Sequence, residues 1–159
     1  MRAVGRSHEA LLRALTALAL VLAVAVFLIG PTPSRAADHD ITVEQALEMS
    51  RGGKATIVDV RTQGEWRKTG IPAGAKTVTL NNPRGAQGFI DEVLGAVDGD
   101  RTKPVALICA TGNRSARAAA LLEANGFTNV YNVTNGMMGR NGAKGWIATG
   151  LPVAPCPAC

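Results

Sequence analysis

The apolar run Pro104-Val105-Ala106-Leu107-Ile108, ending at Cys109, constrains this chain more than any other feature. Continuous apolar residues without alternation describe a strand covered on both faces, as strands of parallel sheets are. The polar stretch Ala110-Thr111-Gly112-Asn113-Arg114-Ser115 follows, and then residues 116–124, rich in alanine and leucine, read as a helix. A buried strand that turns through a short glycine-bearing loop into a helix predicts an α/β fold with a mostly parallel sheet. It also places Cys109 at the C-terminal end of a strand, where such sheets hold their ligands.

That placement has chemical consequences. Backbone N–H groups of the loop and of the helix N-terminus converge on whatever occupies the loop centre. The helix dipole and Arg114 both favour a thiolate, the reactive form of cysteine. A cysteine that ends a buried strand is ordinarily a small core residue. Gly112, Arg114 and Ser115 at fixed spacing behind it favour a nucleophile instead. The chain has two histidines, and only His39 lies beyond the leader described next. A Cys–His dyad or a histidine-based zinc site is therefore disfavoured.

Residues 1–36 read as a secretory signal peptide. Arg2, Arg6 and Arg13 precede an apolar stretch over residues 14–29, and Ser34-Arg35-Ala36 suits cleavage after Ala36. The alternative is a retained anchor, although the stretch falls short of the roughly 20 residues of a spanning helix. Cleavage leaves 123 residues, enough for one domain with its own core. The full chain carries a formal charge of +5. The leader holds four of its basic residues and one acidic residue, so the remainder is only +2. With aromatics at 4% of the chain, neither charge nor stacking supports nucleic-acid binding.

Along the remainder, Thr42 with Gln45 forms a capping box before a short helix that ends at Gly52-Gly53. Residues 55–60 read as a buried strand, 63–68 as a helical turn and 76–80 as a strand. Residues 87–97 read as a helix and 129–133 as a strand, and 136–146 as a glycine-broken helical stretch.

Asp59-Val60-Arg61, Glu65-Trp66, Gly70-Ile71-Pro72 and Gly74-Ala75 resemble the first signature of rhodanese-homology domains. Cys109-x-x-Gly112-x-Arg114-Ser115 is similar to their active-site loop. Gly126-Phe127, Asn129-Val130-Tyr131, Gly136-Met137, Trp146 and Gly150-Leu151-Pro152 resemble their closing segment. The resemblance spans residues 41–153. It implies a rhodanese-like three-layer sandwich over residues 37–153 and a sulfurtransferase that needs neither metal nor organic cofactor. Its partners would be a small anionic sulfur donor and a thiol or protein acceptor, with membrane contact only if the leader is uncleaved.

Carried onto this chain, the resemblance makes Cys109 the nucleophile that becomes a persulfide. Backbone amides of Ala110, Thr111, Gly112, Asn113 and Ser115 would bind the donor, with Ser115 also capping the helix. Arg114 would add charge stabilisation, or else form a structural ion pair. Arg61 would be architectural, with a lesser prospect of reaching substrate. Phosphatases of related fold place five residues between cysteine and arginine, and here there are four. Ala110 stands where many thiosulfate users carry a basic residue. The run Ala110-Thr111-Gly112 leans towards mercaptopyruvate users, which lack an arginine at the position of Arg114. The alternative function is a non-catalytic persulfide carrier for a partner protein.

Residues 154–159 form a tail that closes on Cys156-Pro157-Ala158-Cys159. In an exported protein three cysteines suggest one pair and one free thiol. The tail is then a redox dithiol that accepts sulfur from Cys109, a metal half-site, or an inert disulfide. The expected setting is the bacterial periplasm.

Overall fold

The computed structural model describes residues 39–159. The leader and its cleavage site lie outside the described residues. The elements in chain order are β1 (Asp40–Ile41), α1 (Val43–Arg51), β2 (Thr56–Asp59), α2 (Gln63–Thr69), β3 (Ile71–Pro72) and β4 (Lys76–Thr77). They continue with α3 (Gly85–Ala96), β5 (Val105–Ile108), α4 (Asn113–Glu123), β6 (Val130–Val133) and β7 (Val153–Ala154). The main sheet has the order β1-β6-β5-β2-β4, and every neighbouring pair runs parallel. β5 is the central strand, and all four of its residues are buried.

Side-chain alternation along β5 divides the core into two halves. Val105, Leu107 and Cys109 face Phe89, Ile90 and Val93 of α3 and Ala118 and Leu122 of α4. Ala106 and Ile108 face Ala46 of α1 together with Met137 and Trp146. Each large aliphatic side chain taken fully from water stabilises the fold by about 1.5–3 kcal/mol. The layers are therefore α3 and α4, the sheet, and α1 with the segment 134–152. This is the predicted three-layer α/β sandwich.

Most boundaries move by a residue or two, and three differences matter. First, the helical turn read at 63–68 is a full α2, closed by a second capping box in which Thr62 and Glu65 bond each other's backbone amides. Second, the strand read at 76–80 pairs as a strand only at Lys76–Thr77, although Val78 and Leu80 still donate to Asp59 and Val60 carbonyls. Third, residues 136–146 form turns and no helix. Gly136, Gly139 and Gly142 all have positive φ, as does Asn141, which breaks helical hydrogen bonding at each point. The domain boundary expected after residue 153 falls inside β7, which pairs antiparallel with β3.

Candidate active site

Cys109 sits one residue past the central strand, at its C-terminal end. The chain then turns back over its own sulfur. Gly112 is the N-cap of α4, with φ 91°, and its N–H donates to Cys109 Sγ at 3.2 Å. Ser115 is buried in the first turn of α4, with its Oγ 3.4 Å from Cys109 Sγ and 3.0 Å from the Gly112 carbonyl. The helix has no side-chain cap, so its leading N–H groups are free to face the sulfur.

Two opposing effects act on the thiol. Burial pushes its pKa up, since the residue is 1% exposed. Hydrogen bonds from the Ser115 side chain and from the amides of Ser115, Thr111 and Gly112 pull it down, and they prevail, so the thiol ionises below its ordinary value of 9.0. The loop thus supplies what a thiolate needs without a histidine.

A second segment holds the loop from behind. Met137 N donates to the Cys109 carbonyl at 2.8 Å and Met138 N to the Ala110 carbonyl at 2.9 Å. The approach is so close that a Cβ on Gly112 would collide with the Thr134 carbonyl, and one on Gly136 with the Cys109 carbonyl. Trp146, fully buried, anchors the same segment through Nε1–H to the Pro152 carbonyl at 2.9 Å.

The expected site residues separate into groups. Cys109, Thr111, Gly112 and Ser115 converge on the sulfur. Ser115 is not the helix cap, because that position belongs to Gly112. Its hydroxyl touches the Cys109 sulfur instead. Asn113 is exposed and its side chain accepts from Arg140 Nη1 at 2.8 Å. Ala110 contributes its carbonyl to the Met138 amide.

Arg61 has an architectural setting. It is buried, and all three side-chain nitrogens are already engaged. Nε and Nη2 bind the Asp59 carboxylate, Nη1 binds Thr69 Oγ1 and Nη2 also binds the Gly70 carbonyl. The Asp59–Arg61 pair ties α2 and β3 to the end of β2, with four of the five guanidinium N–H groups engaged.

Arg114 takes the structural alternative. Its Nη1 and Nη2 donate to Glu65 Oε2 and Oε1 at 2.8 and 2.5 Å, a two-pronged ion pair that joins α4 to α2. Glu65 was not among the expected site residues. Its capping box is legible as Thr62-x-x-Glu65, but its pairing with a residue 49 positions away is not.

The Arg114 guanidinium draws the Glu65 carboxyl down from 4.5 to about 2, aided by the Thr62 hydrogen bonds against the effect of burial. The folded pKa is depressed, so the pair stabilises fully above the unfolded value and fades as pH falls from 4.5 towards 2. Both side chains are about one-third exposed, which limits the gain. Glu65→Gln is expected to cost about 1 kcal/mol at pH 7 in urea unfolding and only a small part of that near pH 2. An equal cost at both pH values would assign the effect to packing.

Among the described residues, no group of three or more His, Cys, Asp and Glu side chains is placed to hold a metal ion. No helix among them is long and apolar enough to cross a membrane. Cys109 is a free thiol, and Cys156 and Cys159 are joined as a disulfide.

A buried free cysteine cradled by backbone amides at the tip of a central parallel strand is the arrangement of one class of protein. The family model described as the Rhodanese-like domain matches residues 42–142, and the chain belongs to that family. A thiosulfate sulfurtransferase, GlpE, of Glaesserella parasuis is 32% identical over 114 residues, covering 72% of this chain and 91% of the relative. The crystal structure of Rv0390 from M. tuberculosis is 33% identical with a TM-score of 0.57, covering 74% of this chain and 97% of that one. The polysulfide-sulfur transferase homodimer from Wolinella succinogenes is 25% identical with a TM-score of 0.55, covering 72% and 77%.

Proposed function

We propose that this protein is a sulfurtransferase that carries sulfane sulfur as a persulfide on Cys109. The observation that carries the reading is the sulfur itself, held by the Gly112 amide and the Ser115 hydroxyl and ionised below its ordinary value. In the first step the Cys109 thiolate attacks the outer sulfur of thiosulfate. The S–S bond breaks and sulfite leaves with the electron pair. The amide ring stabilises the terminal sulfur of the persulfide, as fixed dipoles do for any developing anion. In the second step an acceptor thiolate attacks that terminal sulfur and Cys109 leaves as a thiolate. Thiosulfate and polysulfide are the donors that the named relatives suggest.

One observation favours the carrier reading as a second possibility. Arg114 is committed to Glu65, and Ala110 offers no charge, so the donor's sulfonate would rest on backbone amides alone. A donor delivered by a partner protein suits such a site better than a free anion.

Intact mass before and after thiosulfate tests the proposal. A gain of roughly 32 Da mapping to Cys109 and lost on reduction is expected. Sulfur on no residue, with thiosulfate, polysulfide and mercaptopyruvate alike, would overturn it. Fast turnover with free thiosulfate would reject the carrier. The proposal also includes export, supported by the basic, apolar and small-residue order of residues 1–36. The same spectra, taken on protein from a secreting host, should show a chain that begins at Ala37.

A further inference from the structure

The disulfide at Cys156 and Cys159 takes no part in the transfer described above, yet two tethers tie it to the active loop. β7, at the root of the tail, pairs with β3 immediately after Gly70. The Gly70 carbonyl is held by Arg61, and Arg61 by Asp59, which lies opposite Ile108 in the sheet. The second tether passes through α2. Glu65 holds Arg114 of the active loop, and Arg67, two residues on, donates from Nη1 to the Cys159 backbone oxygen at 2.9 Å.

One helix, about 10 Å across with its side chains, therefore separates the two anchor points. The five residues 155–159 span at most about 17 Å when extended, enough to cross it. Nor is the tail part of either core. Cys159 borders a cleft of about 280 Å³ with Trp66, Thr77, Thr79 and Asn82, and both tail cysteines are only half-buried. Trp66, itself 4% exposed, has an Nε1–H without a partner, so the tail covers this cleft without completing its hydrogen bonding. Release of the tail would leave both cores intact.

We infer that Cys156 and Cys159 form a sulfur-reducing dithiol that resolves the persulfide of the same chain. The inference rests on the Cys109 persulfide proposed above. One tail thiolate attacks the outer sulfur of the persulfide. That sulfur passes to the tail, and Cys109 leaves as a thiolate. The second tail thiolate then attacks the cysteine sulfur that carries it. The Cys156–Cys159 disulfide forms and hydrosulfide departs. The sulfane sulfur is reduced by two electrons, and the two thiols supply them. An external thiol or dithiol returns the disulfide to its reduced form.

The test uses the whole protein, reduced, freed of reductant and kept anaerobic, then given one equivalent of thiosulfate or, separately, polysulfide. The wild type should release about one equivalent of sulfide with no added thiol and settle about 2 Da below its reduced mass. The Cys156→Ser/Cys159→Ser variant should hold its gain of roughly 32 Da and release less than about a tenth as much sulfide. A rate independent of protein concentration would place the step within one chain. Equal persistence of the persulfide in wild type and variant would overturn the dithiol, as would a concentration-dependent rate. A variant that gains no sulfur from either donor would instead overturn the Cys109 reading beneath it.

Discussion

Cys109→Ser is expected to abolish sulfur transfer, lowering the rate with thiosulfate and a thiol acceptor by about three orders of magnitude or more. The serine hydroxyl does not ionise in this range and forms no persulfide. The fold should hardly notice, because the Gly112 amide and the Ser115 hydroxyl remain to satisfy a buried oxygen. Urea unfolding should change by about 1 kcal/mol at most. The same assay on wild type gives the pH dependence. Sulfur uptake should rise with the thiolate fraction, its midpoint below the ordinary thiol value of 9.0, because the hydrogen bonds to the sulfur outweigh its burial. A variant that kept a tenth of the rate would remove Cys109 from the reaction.

Gly112→Ala should be nearly as damaging, through the backbone. Gly112 occupies the left-handed region at φ 91°, and its Cβ would be driven into the Thr134 carbonyl. Strain of this kind costs about 1–3 kcal/mol before the collision is relieved. Relief requires either the 134–138 segment to retreat or the loop to open. Opening withdraws the Gly112 amide from the sulfur, and loss of one such donor typically slows a reaction by about 10²–10³-fold. Gly142→Ala provides the control. It too has a positive φ, 83°, but nothing lies within 4 Å of its Cβ, so it carries strain without collision. Persulfide formation should therefore fall in Gly112→Ala and remain near wild type in Gly142→Ala. Equal rates in the two would show that the close contact with Thr134 does not shape the loop.

Much of the site was legible because its signals are local. The strand 105–108, the glycine turn and the helix after it are adjacent in sequence, and their order alone places the cysteine at a strand tip. Thr42 and Gln45 announce α1 in the same way, through bonds that span three residues. The segment 136–146 reads as a glycine-broken helical stretch, and the glycines decide its structure. Three glycines and Asn141 at positive φ make it a series of turns that grips the active loop.

Charged residues were the least legible. Arg61 and Arg114 look alike in sequence, each a cation beside a conspicuous motif. Arg61 proved to be buried with all three of its side-chain nitrogens bonded within the protein. Arg114 proved to be joined to Glu65 across two helices. An arginine has five N–H donors on a long stem, so its partner is whichever acceptor the packing delivers.

By itself the sequence determined the layered α/β class, the parallel central strand and the placement of Cys109 at its tip. These follow from hydrophobic burial and glycine geometry within a few residues of one another. Only the tertiary structure decided that Ser115 touches the sulfur, that residues 134–138 clamp the loop, and that one short helix lies between Arg114 and Cys159. Those relations join residues far apart in the chain, and they exist only once the two cores have closed and fixed which faces meet.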